Sequence, residues 1–132
     1  MFRLGIAAIT VVMALGVSPA LAGKGGHNSP TTSSIVLDQP SPSLGSAVTF
    51  TSAYPSSAKN PRVQVMCYQN GVLVYTDAEA AGSSFMLGGS WSQWLMNGGA
   101  AHCQADLYNL VWNGSGPQQV TTLASTTFDA AG

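Results

Sequence analysis

With 132 residues, four Lys and Arg against five Asp and Glu, the chain has room for one small domain. It lacks the clustered basic face that holding a nucleic-acid backbone requires. Only 7% of its residues are charged, so its polar surface must come from Ser, Thr, Asn, Gln and Gly, a mix poor in strong helix formers and suited to short strands joined by turns.

Met1, Phe2 and Arg3 precede an apolar run over residues 4–17, which Ser18 and Pro19 break just before Ala20-Leu21-Ala22. A basic start, an apolar stretch and a small-x-small site in that order predict a cleavable signal peptide over residues 1–22, cut before Gly23. The apolar run is shorter than the roughly 18 residues that span a bilayer as a helix, and Gly23 and Lys24 stand where a lipoprotein would carry its cysteine. The mature chain is therefore expected to be secreted, extracellular or in the cell envelope, with no membrane tether after cleavage. Its bases are then Lys24, Lys59 and Arg62, too few for nucleic acid or an anionic membrane surface.

Residues 23–33 hold Gly, Ser and Thr without an apolar anchor, which predicts a flexible N-terminal tail and a folded domain over residues 34–129. Ile35, Val36 and Leu37 form the first expected strand, closed by Gln39-Pro40-Ser41-Pro42. Residues 45–51 form a second, with Val48 and Phe50 on one face.

The clearest pattern lies at residues 62–79, where Val63, Val65 and Cys67 alternate with Arg62, Gln64, Met66 and Tyr68 before Asn70-Gly71 and a second run from Val72. Asn-Gly between alternating runs predicts a tight hairpin. With Asn70 and Gly71 as the turn, Tyr68 faces Leu73, Cys67 faces Val74, Met66 faces Tyr75, Val65 faces Thr76, Val63 faces Ala78 and Arg62 faces Glu79. That register makes Val63, Val65 and Cys67 the core face and joins Arg62 to Glu79 by charge.

Residues 83–87 read as a further short strand, followed by a Gly- and Trp-rich connection over residues 88–99 in which no helical period shows. Ala101, Cys103, Ala105 and Leu107 then alternate with His102, Gln104, Asp106 and Tyr108. After a turn at residues 113–117, a last strand runs from about residue 118 to Phe128. The sum is an all-β sandwich of about seven antiparallel strands. Cys67 and Cys103, an even pair in an exported chain, are expected to form one disulfide.

From residue 33 to residue 128 the pattern resembles an immunoglobulin-like domain of exported bacterial proteins. Gly45-Ser46-Ala47-Val48-Thr49-Phe50 carries the likeness for a B strand, and Ala101-His102-Cys103-Gln104-Ala105-Asp106-Leu107-Tyr108 for an F strand. It departs from the antibody-type pattern at Cys67, which falls in strand C where that pattern has its core tryptophan, and in strand B, which has no cysteine. The likeness is one of architecture. It implies that Cys67 and Cys103 lie on neighbouring strands of one sheet, and that adhesion, display or assembly is the work such a domain does.

Residue chemistry adds little to this. His102 and Asp106 are four residues apart on one strand, about 13 Å, beyond hydrogen-bond reach. Asp77 and Glu79 read as a solvated face paired with Arg62, not as a glycosidase carboxylate pair. No ligand spacing for a metal occurs, and neither a catalytic residue nor a cofactor is expected. Trp91, Trp94 and Trp112 are the candidate binding residues, since flat rings stack on sugars or fill a partner's pocket; alternatively, Trp91 or Trp94 closes the core over the disulfide. The function expected is a secreted, non-catalytic module for protein contact, adhesion or surface assembly. The alternative is a glycan-binding module using exposed tryptophans.

Overall fold

The computed structural model describes residues 32–112, 114 and 118–132. The expected signal peptide, most of the expected tail and most of the turn at residues 113–117 lie outside the described residues. The elements are β1 (Ser34–Leu37), β2 (Ala47–Val48), β3 (Phe50–Ala53), β4 (Pro61–Gln69), β5 (Val72–Ala80), β6 (Phe85–Met86), α1 (Gln93–Asn97), β7 (Ala101–Val111) and β8 (Gln119–Ala130). The fold is all-β and sandwich-like, with one four-stranded antiparallel sheet ordered β5-β4-β7-β8 and two small two-stranded sheets, β1-β3 and β2-β6.

Alternation in the sequence becomes the two faces of the large sheet. Val63, Val65 and Cys67 of β4 and Cys103, Ala105 and Leu107 of β7 are all buried, while His102 on the opposite face is exposed. Ile35, Val48, Phe50 and Phe85 of the small sheets, with Leu87 and Trp94, complete the same core. Phe50 meets Phe85 edge-on at 5.9 Å and Phe128 at 6.0 Å, so the aromatic contacts join both small sheets to β8.

The strand expected over residues 45–51 is interrupted at Thr49. Its N–H donates to Gln39 Oε1 and its carbonyl accepts from the Asp38 N–H, so β2 ends there and pairs with β6 while β3 pairs with β1. Hydroxyls of Thr49 and Thr51 donate to Asp38, and these bonds, Thr49's first, hold the Asp38 carboxyl below its ordinary pKa. Val48 and Phe50 are nonetheless both buried, as the sequence pattern requires.

Asn70 and Gly71 take positive φ values of 50° and 77°, the conformation a two-residue hairpin turn needs. Next to the turn, Tyr68 pairs with Leu73 as expected. The rest of the predicted register is corrected by one residue, because a bulge at Val74 sets Cys67 opposite Tyr75, Val65 opposite Asp77 and Val63 opposite Glu79. A bulge lets two successive residues oppose one, and here Val74 and Tyr75 are both buried. Arg62 faces Ala80, not Glu79, and its guanidinium donates to the Ala78 carbonyl at 3.2 Å.

Cys67 and Cys103 are directly opposed on β4 and β7 and joined by a disulfide with a Cα–Cα distance of 4.0 Å. The bond therefore staples two strands of one sheet. At the C-terminal end, β8 continues to Ala130, and Ala131 exchanges backbone bonds with Leu44 and Pro42, so contacts reach past the predicted boundary at residue 129.

Helix α1 departs from the strand-and-turn expectation for the Gly- and Trp-rich connection. The Ser92 hydroxyl accepts from the Leu95 N–H at its start, and Gly98, at φ 64°, donates its N–H to the Trp94 carbonyl at its end. These are ordinary cap residues, but one turn is too short to show a helical period.

Candidate functional site

The three candidate tryptophans separate. Trp94 is fully buried, its Nε1 donates to the Gly99 carbonyl at 2.7 Å, and its ring packs on Tyr75 at 6.3 Å. It is a core residue and takes the role weighed for it of closing the core. Trp91 is 97% exposed and Trp112 is 71% exposed. Two rings three positions apart have opposite fates because α1 turns Trp94 inward and leaves Trp91 before its cap.

Trp91 borders a groove of about 430 Å³ between β5, at residues 73–77, and the loop at residues 88–92. Positive φ values of 88° and 57° at Gly88 and Gly89 shape that loop. A Cβ on Gly88 would stand 2.5 Å from the tip of the Leu44 side chain, so a larger residue there would displace Leu44 as well as strain the backbone. Leu73, half exposed, adds an apolar wall.

The floor of the groove holds Tyr75, whose hydroxyl is buried without a hydrogen-bond partner. Burial, reinforced by the carboxylates of Asp77 and Glu79, pushes its pKa up to about 12. The sequence pattern predicts a solvated, Arg62-paired face for these acids. The bulge instead puts them on the face of Tyr75, opposite Val65 and Val63, and neither pairs with a Lys or Arg among the described residues.

A second depression of about 600 Å³ lies beside the β4–β5 turn. In it His102 Nδ1 and Asp129 Oδ1 are 2.7 Å apart, both side chains mostly exposed. Sequence reading compared His102 with Asp106 and missed Asp129, because the partner is fixed by the β7–β8 register. Asp106 instead accepts from Gln104 and Ser125. Gln69 closes the other side of this depression, donating to the carbonyls of Gly98 and Ala100 and accepting from Asn97. Tyr68 supplies the hydroxyl in its lining, and among the described residues no Ser, Thr or Cys lines it.

Among the described residues, no three His, Cys, Asp or Glu side chains gather as a metal site, and no helix is long and apolar enough to cross a membrane. Compared with known proteins, the chain matches no family model, no curated protein and no solved structure.

Proposed function

We propose that the protein is a secreted, non-catalytic, immunoglobulin-like module that contacts another protein through the groove between β5 and residues 88–92. The observation that carries this reading is Trp91, a large ring 97% exposed at the rim of a preformed groove. Aromatic side chains placed this way dominate binding at protein interfaces once a partner covers them. The disulfide fits an oxidising compartment, and a staple between β4 and β7 fits the neighbouring C and F strands of an immunoglobulin-like sheet.

The test is crosslinking on cells that secrete the protein. Trp91→Ala is expected to weaken capture of a discrete partner while far-ultraviolet circular dichroism stays that of the parent. Capture at parental strength by the folded variant would remove this interface. Exposure of both Trp91 and Trp112 favours a second reading, glycan binding, but burial of Trp94 takes away the ring nearest Trp91. A glycan array would promote this second reading if it gave specific signal that Trp91→Ala abolished.

A further inference from the structure

Resting on that reading of the groove, we propose that its occupant is an extended basic peptide, which adds as a strand to the free edge of β5 at residues 72–76. β5 ends the large sheet, and among the described residues the backbone of this segment bonds to no element but β4. At the other end of the sheet, Ala131, just past the end of β8, is covered by residues 42–44. Successive strand residues point to opposite faces. A groove lined by five in succession, residues 73–77, therefore runs along the strand's backbone edge instead of over one face.

Edges are commonly blunted against stray pairing by charge and by side chains that occupy their backbone groups. In β5 that protection covers one half only. The Ala78 N–H donates to Asp77 Oδ1 at 2.8 Å and its carbonyl accepts from Arg62, whereas residues 72–76 carry no charge and no proline. Val74, the extra residue of the bulge, has no β4 partner, which leaves its backbone to another bond. The open half of the edge is the half beside Trp91.

Charge selects the occupant. Asp77 and Glu79 share a face beside Tyr75 and have no cationic partner among the described residues, while Arg62 is engaged with the Ala78 carbonyl. The Tyr75 hydroxyl beneath them is also unpartnered. A strand bringing an aliphatic residue against Trp91 on the Tyr75 face, and a Lys or Arg about two residues further along on that same face, supplies the cover that Trp91 lacks and the cation that Asp77 and Glu79 lack. A second copy pairing through its own β5 would bring another Asp77 and Glu79 to the same short edge, and β5 itself has no Lys or Arg.

The probes are capped hexapeptides in both chain directions, acetyl-Thr-Val-Thr-Val-Thr-Lys-amide and acetyl-Lys-Thr-Val-Thr-Val-Thr-amide, added to the oxidised protein. One of them is expected to slow amide exchange within residues 72–76. Methylating alternate peptide nitrogens should abolish binding for one set and spare the other, since only one set faces β5. Glu in place of Lys, or Asp77→Asn with Glu79→Gln in the protein, should weaken binding at least fivefold at low salt. Binding by neither lysine peptide, equal binding of the Glu peptide, or indifference to both methylation sets would overturn the proposal. A concentration-dependent dimer with these amides protected in the absence of peptide would overturn it in favour of self-pairing. If these peptides fail while Trp91→Ala still weakens partner capture, protein contact stands and strand addition falls.

Discussion

Tyr75 shows how far one residue departs from its place in a pattern. The regular hairpin register puts it opposite Met66 on the outer face. The bulge at Val74 rotates it inward, opposite Cys67, where its ring gains Trp94 and its hydroxyl loses every partner. An unpaired buried hydroxyl costs about 1–3 kcal/mol, so Tyr75→Phe is expected to raise stability by about 1 kcal/mol in urea unfolding. The phenol also sets an alkaline limit. In the folded state it keeps its proton up to about 12, whereas the unfolded chain releases it near the ordinary phenol value of 10.0. The folded state thus holds more protons across that window, and its stability is complete below pH 10 and falls as pH approaches 12. Tyr75→Phe should flatten that fall, and an unchanged slope would place the titration elsewhere. None of this is legible in sequence, because a bulge is a packing choice between Val74 and Tyr75 that alternation does not encode.

At the scale of elements, the positions of the strands were legible and the bounds of the shortest ones were not. β4 and β7 carry strict alternation over a full strand length, with Asn70-Gly71 marking the turn, and both appear where the pattern places them. β2, β6 and α1 span two, two and five residues, too few for any period, and their bounds follow from individual bonds such as those at Thr49, Ser92 and Gly98. The candidate site shares this division. Sequence reading singled out residues 88–99 by their tryptophans but had no means to separate Trp91 from Trp94. Truncating the two rings should therefore give opposite results. Trp94→Ala empties a fully buried volume and should cost about 3–5 kcal/mol, whereas Trp91→Ala should stay within about 0.5 kcal/mol of the parent. Acrylamide should quench Trp91 and Trp112 freely and spare Trp94, so a quenching-resistant, blue-shifted emission should disappear only in Trp94→Ala. Equal destabilisation by both substitutions would contradict the burial that divides them.

For the molecule as a whole, the pairing that matters most is between β4 and β7, which lie far apart in the chain and side by side in the sheet. The disulfide closes this gap of 36 residues, and the closed loop contains β5, β6, α1 and the entire groove. Restricting the unfolded chain over such a loop is worth roughly 4 kcal/mol, comparable with the 5–15 kcal/mol total typical of small domains. Replacing both cysteines by alanine should thus remove much of the stability and loosen the groove together with the sheet. The kinetic consequence separates two ways in which that energy can act. Sheets dominated by non-local pairing fold slowly, over about milliseconds to seconds, because the loop must close before its contacts repay the lost entropy. If β4 and β7 pair in the transition state, the oxidised chain starts with that closure made. It should then refold faster than the Cys67→Ala, Cys103→Ala variant by most of the stability difference, with similar unfolding rates. If they pair late, refolding rates should match and the variant should instead unfold faster. Stopped-flow refolding from guanidinium followed by the fluorescence of Trp94, which sits on β5's Tyr75 inside the loop, reads both rates. We expect the first result, since β4 and β7 form the centre of the only large sheet among the described residues and contribute Val63, Val65, Cys67, Cys103, Ala105 and Leu107 to the core.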